Sequence, residues 1–200
     1  MKKLRIIALA VVAITIALEA PGIAAMERYD VDLDHSTMEF SIAHMVVSKT
    51  TGRFTDYTGF IEMDPDASKV NAIEAVVKTA SVTTNHAKRD THLRSPDFFN
   101  VEKYPTMTYK MKSYRKTGDE YTAVGDLTLL GVTKEVTLVG KFNGVAKDPW
   151  GNTRAGFTGA GKLNRKDFGM NWSKALDNGG LVVGDEVAIR LEIEAIKAKR

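Results

Sequence analysis

Residues 186–197, which read EVAIRLEIEAIK, determine the fold class of this chain. Apolar residues recur there at every second position, and most of the positions between them are charged. A period of two places successive side chains on opposite faces of a strand. The run therefore predicts a β-strand with one face in a core. The inward positions are Val187, Ile189, Leu191 and Ile193, and the outward positions are Ala188, Arg190, Glu192 and Glu194.

Seven further runs upstream show the same alternation, so we predict an all-β protein of eight strands. Antiparallel strands with one apolar face form either a sandwich of two sheets or a closed barrel, and closure removes the exposed edges. An eight-stranded barrel is just wide enough to be filled by side chains or to hold one small ligand. The predicted strands cover residues 29–47, 52–63, 72–82, 106–114, 121–130, 132–145, 154–163 and 186–197.

Small residues at inward positions favour a barrel with a cavity, because side chains of this size leave internal space unfilled. The alternative is that the glycines only permit the bends and bulges that barrel corners require. The inward small residues are Gly59, Ala75, Ala123, Gly125, Gly140, Gly159 and Gly161.

One segment interrupts the strands. Residues 89–105, RDTHLRSPDFFNVEKYP, combine charged, helical-looking turns with two adjacent phenylalanines. We predict a short helical and loop insert between the third and fourth strands. Phe98 and Phe99 are its expected hydrophobic anchor.

The N-terminus predicts export. Three basic residues precede an apolar run of 13 residues, 6–18, and small residues follow at 22–25. This pattern is typical of a cleaved signal peptide over residues 1–25, and the run is too short for a comfortable membrane span. An uncleaved anchor is the alternative. We expect a single mature domain, residues 26–200, that is periplasmic and does not span the membrane.

Charge and cysteine content exclude several classes of function. Without the leader the chain has 25 basic and 24 acidic residues, a net charge of +1, which is no basis for nucleic-acid binding. The absence of cysteine rules out cysteine catalysis, iron–sulfur clusters and thiolate zinc sites. About 175 residues can bury a sufficient core without disulfides.

A series of different short motifs follows in a characteristic order through nearly all of the mature chain. They are Asp34-His35-Ser36 followed by Phe40 and His44, Gly52-Arg53-Phe54, Ser81 with Thr83, Arg89-Asp90 with His92-Leu93, Asp97-Phe98-Phe99, Tyr104-Pro105, Gly125-Asp126-Leu127-Thr128, Gly131-Val132-Thr133, and Arg165 with Asp167-Phe168-Gly169-Met170. In this series the chain resembles the YceI-like family of exported bacterial proteins. Tyr29 stands where that family often has tryptophan.

The resemblance implies a lipocalin-like antiparallel barrel that binds an isoprenoid lipid, of the polyprenyl or quinone type, in a long apolar pore. It implies neither catalysis nor a cofactor. Elementary energetics supports a lipid, since each buried methylene contributes about 0.8 kcal/mol whereas a surface ion pair contributes about 0 to 1 kcal/mol.

Inward apolar side chains of the strands are the candidate pore wall, although each is also a candidate for ordinary core. Aromatic residues outside the strands are candidates to cap the pore or to plug its end. The wall candidates are Phe40, Ile42, Met107, Tyr109, Met111, Leu127, Leu129, Leu138, Phe142 and Phe157, and the cap candidates are Phe98, Phe99, Phe168 and Trp172.

The polar cluster of the insert has two interpretations. Arg89, His92 and Arg94 suit a cationic mouth for the lipid head group, because guanidinium offers a planar fork of donors. The alternative, which we favour, is a structural corner in which Arg89 and Asp90 pair with turn residues such as Asp167 and Arg165.

Metal and enzyme sites have weaker support in the sequence. On a continuous first strand, His35 and His44 would lie on opposite faces and about 30 Å apart. His86 and His92 lack a recognised ligand spacing, so we expect no metal.

No nucleophile elbow or phosphate loop is present in the sequence. Two alternatives to lipid binding stay open: a hydrolase, because a catalytic triad is recognised by geometry and not by motif order, and a partner-binding module. A homodimer is compatible with the sequence.

Overall fold

The structure is a computed structural model that describes residues 26–45, 47–66, 69–175 and 180–199. The predicted signal peptide, residues 1–25, lies outside the described residues. The described strands are β1 (Glu27–Val31), β2 (Thr37–His44), β3 (Ser48–Phe54), β4 (Tyr57–Asp64), β5 (Lys69–Lys78), β6 (Val82–Thr83), β7 (Thr106–Thr117), β8 (Glu120–Leu129), β9 (Val132–Lys147), β10 (Thr153–Asn164) and β11 (Val183–Lys197).

These strands form one closed antiparallel barrel, as predicted. Neighbours pair in the order β1, β4, β5, β7, β8, β9, β10 and β11, and β11 pairs again with β1 to complete eight positions. The remaining strands continue three of these positions. β2 pairs with the first part of β11, β3 pairs with β2, and β6 pairs with β3.

The first predicted strand, residues 29–47, is broken, so the assumption that it runs continuously was wrong. A 3-10 turn, Leu33–His35, separates β1 from β2. The Asp32 side chain caps this turn by accepting a hydrogen bond from the Asp34 N–H at 3.1 Å. The second and third predicted strands break at residues 55–56 and at the 3-10 turn Thr79–Ser81. The alternation of side chains alone does not reveal breaks of this kind.

The predicted insert between the third and fourth strand positions is confirmed. Helix α1, Ala87–Arg94, begins it, and the His86 side chain caps the helix by accepting from the Arg89 N–H at 3.4 Å. Turns then carry the chain to β7. Phe98 and Phe99 are both buried in the core, as expected of its anchor.

The barrel interior contains two separate packing clusters. The first lies towards the end with the β2–β3 turn and α1, and it includes Phe54, Phe99 and Leu129. The second lies towards the end with the β4–β5 and β9–β10 turns, and Tyr29 and Met63 are completely buried in it. We call these the open end and the closed end, because only the first cluster surrounds a large cavity, as described below.

The cavity predicted from the small inward residues is present and Ala75 lines it, but Gly125 and Gly140 do not provide its space. A Cβ at Gly125 would lie 2.5 Å from the Tyr109 ring, so this glycine gives room to a side chain of the barrel itself. A Cβ at Gly140 would lie 1.9 Å from the Thr158 carbonyl oxygen. Gly140 therefore allows the backbones of β9 and β10 to approach closely. This is a backbone role, as in the alternative that the inward glycines serve the bends and bulges of the barrel.

Gly140→Ala should destabilise the barrel by about 1–3 kcal/mol, because the new methyl group overlaps a backbone atom that cannot turn away. Gly156→Ala is the matched control, since its Cβ would meet only Asn143 at 3.4 Å or more. Urea unfolding of both variants measures the difference. Equal midpoints for the two would contradict the close approach at Gly140.

Candidate ligand-binding pore

A cavity of about 310 Å³ occupies the barrel between the open end and the second cluster. This volume is within the range of small-molecule pockets. Strands from all around the barrel contribute to its wall, and the insert and the loop after β10 cover it. The apolar lining is Met38, Phe40, Ile42, Ala43, Phe54, Ala75, Val77, Leu93, Phe98, Phe99, Met107, Leu127, Leu129, Val136, Leu138, Leu163, Met170, Trp172, Val182, Val183, Val187, Ile189 and Leu191. The polar lining is Glu39, His44, Thr50, Arg89, His92, Thr108, Tyr109 and Arg165.

Most of the residues selected from the sequence lie around this one cavity. They come from β2, β7, β8 and β9, from the insert, and from the loop after β10. They are Phe40, Ile42, Met107, Tyr109, Leu127, Leu129, Leu138, Phe98, Phe99, Trp172, Arg89 and His92.

Five selected residues do not line the cavity. Phe142 and Phe157 face inward but pack in the second cluster, with their ring centroids 5.3 Å apart. Met111 lies two residues beyond Tyr109 in that direction, where the pairing of β7 with β8 shifts. Phe168 is buried in the core beside the cavity, and Arg94 bonds to backbone outside it.

One wall of the pore was not predicted from the sequence. Val187, Ile189 and Leu191 line the cavity from β11, although we selected none of them. They belong to the alternating run that determined the fold class, so side-chain parity was a sufficient signal. The next inward residue, Ile193, already packs against the second cluster.

Aromatic contacts hold the cover of the pore together. The His92 ring meets Phe98 at 5.0 Å and Trp172 at 4.8 Å, edge to face in both cases. Phe98 and Trp172 lie 5.3 Å apart. His92 Nε2 is 2.8 Å from a carboxylate oxygen of Asp97, which fixes the orientation of the imidazole. The insert and the loop after β10 are thus joined over the cavity.

The polar cluster of the insert forms a structural corner, but with partners other than those expected. Asp90 accepts from the Thr84 N–H at 2.8 Å, the Thr84 hydroxyl at 2.6 Å and the Thr83 hydroxyl at 3.0 Å. Arg89 donates to Thr84 Oγ1 at 2.7 Å and to the Thr84 carbonyl at 3.1 Å. Arg94 donates to the carbonyls of residues 80 and 82, both at 2.7 Å. Neighbours in sequence therefore supply this corner.

Arg165, which we expected to pair with the insert, instead braces the loop after β10. Its side chain is 1% exposed and donates to the carbonyls of Gly184 at 2.7 Å and Met170 at 2.5 Å. Burial lowers its pKa, and the Asp185 carboxylate, 3.6 Å away, opposes that shift. Because Met170 and Trp172 line the pore, Arg165 fixes part of the pore wall.

Tyr109 places a phenol in the wall of the pore. Its hydroxyl donates to the Ala123 carbonyl at 3.3 Å. Burial, with smaller contributions from Asp126 and Glu135, raises the pKa of Tyr109 to about 12. The phenol is therefore neutral at physiological pH, and the pore gains no charge from it.

A second polar cluster lies at the closed end. Asp32, His35 and Glu194 bring potential metal ligands within 4.8 Å of one another. Arg154 Nη1 donates to Asp32 at 2.6 Å and also to Glu194, so a guanidinium already lies between these carboxylates. Burial raises the pKa of Asp32, but hydrogen bonds from Arg154 and His35 outweigh it and the net direction is down. The break of the first strand brings His35 into this cluster.

The sequence matches the YceI-like domain over residues 29–195. Protein YceI of Escherichia coli O157:H7 is 43% identical over 181 residues, which cover 89% of this chain and 90% of that protein. A UPF0312 protein of Pseudomonas aeruginosa is 40% identical over 191 residues, covering 94% and 97%.

Solved structures share the fold. The Campylobacter jejuni YceI protein aligns with a TM-score of 0.68 at 34% identity, covering 78% of this chain and 90% of that one. A polyisoprenoid binding domain from Saccharophagus degradans aligns at 0.65, with 15% identity and coverage of 85% and 98%. Within the described part of the chain, no helix has the length and apolar character to cross a bilayer.

Asp90→Asn should make stability less dependent on pH under acidic conditions. Burial raises the Asp90 pKa, but hydrogen bonds from Thr84 and Thr83 and the charge of Arg94 lower it overall. A lowered pKa stabilises the fold above the unfolded-state value of about 3.9, and this contribution is lost as pH falls below it. We therefore expect Asp90→Asn to be less stable than wild type at pH 7, and the difference to shrink as pH falls from about 4 through the lower folded-state pKa.

Unfolding free energies measured by urea titration across this pH range test the expectation. Asp119→Asn is the control, since Asp119 is exposed in the turn between β7 and β8. A difference between wild type and Asp90→Asn that stays constant with pH would contradict the role given to the ionised Asp90.

Proposed function

The chain belongs to the YceI-like domain family, and we propose that its pore binds the tail of a long-chain isoprenoid lipid, of the polyprenyl or quinone type. The observation that carries the proposal is the cavity of about 310 Å³ inside the barrel, whose wall is almost entirely aliphatic and aromatic. The structurally similar domain from Saccharophagus degradans is described as polyisoprenoid binding, which agrees with this ligand class.

The shape of the site favours a tail over a compact ligand. The wall runs along the barrel from Ile42 near the β2–β3 turn to Leu191 beside the second cluster. Each methylene that enters contributes about 0.8 kcal/mol, so affinity grows with the length of tail inside. Methionines at positions 38, 107 and 170 adapt to an irregular branched chain, because the thioether side chain is flexible.

We propose that the lipid enters tail first, with its head group at the open end. The polar residues His44, Thr50 and Arg89 line the cavity there. Arg89 is committed to Thr84 through two hydrogen bonds, so it supports a head group by its charge more than by its fork of donors. The deep end, around Ala75 and Leu191, receives the end of the tail.

We further propose that the protein sequesters or carries the lipid, without catalysis and without a cofactor. Glu39, Arg89 and Arg165 are the charged residues of the lining apart from the histidines. The two arginines bond to Thr84 and to backbone carbonyls, which suits support of the wall. The leader pattern of residues 1–25 favours action in the periplasm.

Protein purified from the exported fraction without detergent should carry a long-chain isoprenoid in stoichiometric amount. Mass spectrometry of an organic extract identifies it. An empty extract from folded protein that also fails to take up added ubiquinone would contradict the proposal and favour a partner-binding module.

Ala75→Phe should reduce lipid binding while leaving the fold intact. Ala75 lines the deep end of the pore, and a phenyl ring there takes the place of part of the tail. Displacing about three methylenes costs roughly 2.4 kcal/mol, or about a 50-fold loss of affinity. Fluorescence titration with a dansyl-labelled polyprenol measures the affinity.

Val76→Phe is the matched control for that substitution. It adds a phenyl group on the same strand, at a side chain that is exposed on the outer face. We expect Val76→Phe to bind as wild type does. Equal affinities for Ala75→Phe and wild type, with unchanged circular dichroism, would place the ligand outside the pore.

A further inference from the structure

Exposed apolar side chains lie along one side of the open end of the pore. Met45 and Val47, in the β2–β3 turn, are 42% and 87% exposed, and Leu181, just before β11, is 37% exposed. With the exposed lysines Lys49 and Lys174 these residues form what we call the rim. Exposed apolar residues in a cluster mark sites of interaction more often than residues scattered singly do.

Backbone contacts join the parts of the rim. The Met45 N–H donates to the Val182 carbonyl at 3.0 Å, and the Val182 N–H donates to the Lys174 carbonyl at 2.9 Å. Leu181 pairs with Ala175 in an isolated bridge. The turn after β2 and the segment before β11 therefore present one surface.

The rim is continuous with the pore. Ala43, His44, Val182 and Val183 line the cavity, and Met45 and Leu181 are the residues next to them in sequence. A molecule that leaves the cavity between these elements passes directly onto the rim.

The backbone holds Met45 outward at a conformation that methionine rarely adopts. Its φ is +54°, in the left-handed region, which asparagine and glycine enter more readily. A polar residue at this position would be less strained and more soluble, so folding alone does not account for an exposed methionine there.

Two lysines give the rim positive charge. Lys49 and Lys174 form no ion pair among the described residues, and Asp185, a carboxylate near the start of β11, is 2.9 Å from Lys166. These two lysines are free to attract an anionic surface to the rim.

We propose that the rim docks on the surface of an anionic lipid bilayer and that the pore exchanges its ligand there. The inference rests on the proposed function, because an isoprenoid tail resides in a bilayer before a protein takes it up. Met45, Val47 and Leu181 insert among the head groups, while Lys49 and Lys174 contact the lipid phosphates. Such shallow apolar insertion combined with basic residues is a recognised mode of reversible membrane binding.

The test uses protein from the exported fraction and vesicles of equal parts phosphatidylethanolamine and phosphatidylglycerol that contain ubiquinone. The variant Met45→Asn/Val47→Ser removes the apolar tip and relieves the backbone strain at residue 45. We expect it to cosediment with vesicles at least about tenfold more weakly than wild type and to take up ubiquinone from them correspondingly more slowly. Lys49→Gln should weaken binding about fivefold.

Trp150→Ser is the matched control. Trp150 is 80% exposed but lies in the β9–β10 turn at the closed end, so its loss should leave vesicle binding unchanged. Loss of binding in Trp150→Ser together with retention in Met45→Asn/Val47→Ser would overturn the proposal by assigning the membrane contact to the wrong end.

Two further results separate this inference from the proposed function. Protein that carries isoprenoid but does not bind the vesicles would overturn the docking surface alone. Protein that binds vesicles through the rim yet takes up no ubiquinone and yields an empty extract would support the surface and overturn the proposed function.

A dimer in solution is a third possible result. If Met45→Asn/Val47→Ser dissociates such a dimer and the wild type does not bind vesicles, the rim is the contact with a second copy and the proposal is overturned.

Discussion

Closure of the barrel along β11 is the constraint on which the rest of the structure depends. One edge of β11 pairs with β10, and its other edge must be covered by β2 and β1, which the Leu33–His35 turn separates. Backbone groups at such a break would lose their partners, at a cost comparable to a lost hydrogen bond. Here the Asp32 N–H donates to the Glu194 carbonyl at 2.9 Å, and Ser36 Oγ accepts from the Glu194 N–H at 3.0 Å. The seam is thus continuous, and every inward side chain has a fixed position around the barrel.

Because the closed wall has a fixed circumference, the interior divides into a filled part at the closed end and a hollow part towards the open end. Eight strands enclose a space that side chains can just fill. At the closed end they do, because Phe142, Phe157 and Tyr29 converge with Met63. Towards the open end the inward residues are mostly aliphatic, and hydrogen-bonded strands cannot move together to remove the space that these smaller side chains leave. The cover formed by Phe98 and its neighbours then shields the cavity from water, so the hollow persists as an apolar pore.

The sequence predicted well which side chains face into the barrel, but poorly how far along the barrel each of them lies. Alternation identifies Phe142 as inward as reliably as Leu138, yet only Leu138 reaches the cavity. Depth depends on the stagger between strands, and the alternation of side chains does not show the shift in pairing of β9 with β10 at Gly156 and Phe157. The insert was recognisable from its composition, whereas the partners of Asp90 were not, since pairing with Thr84 depends on how α1 folds back onto the chain just before it. Glycine content misled for a similar reason, because the space at Gly125 is taken up by a residue on the neighbouring strand.

The insert and the β2–β3 turn are held at the open end by bonds of different strength. Helix α1 is tied to the preceding strand segments by charged side chains, with Asp90, Arg89 and Arg94 all bonded to residues 80–84. Bonds to charged groups are stronger than those between neutral groups, so lifting the insert would break several of the stronger bonds at once. The β2–β3 turn is tied to the segment before β11 by the neutral bond from Met45 to Val182. Local opening follows the least stabilised contacts. Under the proposed function, entry of a tail between the turn and that segment would break fewer of the stronger bonds than entry beneath the insert.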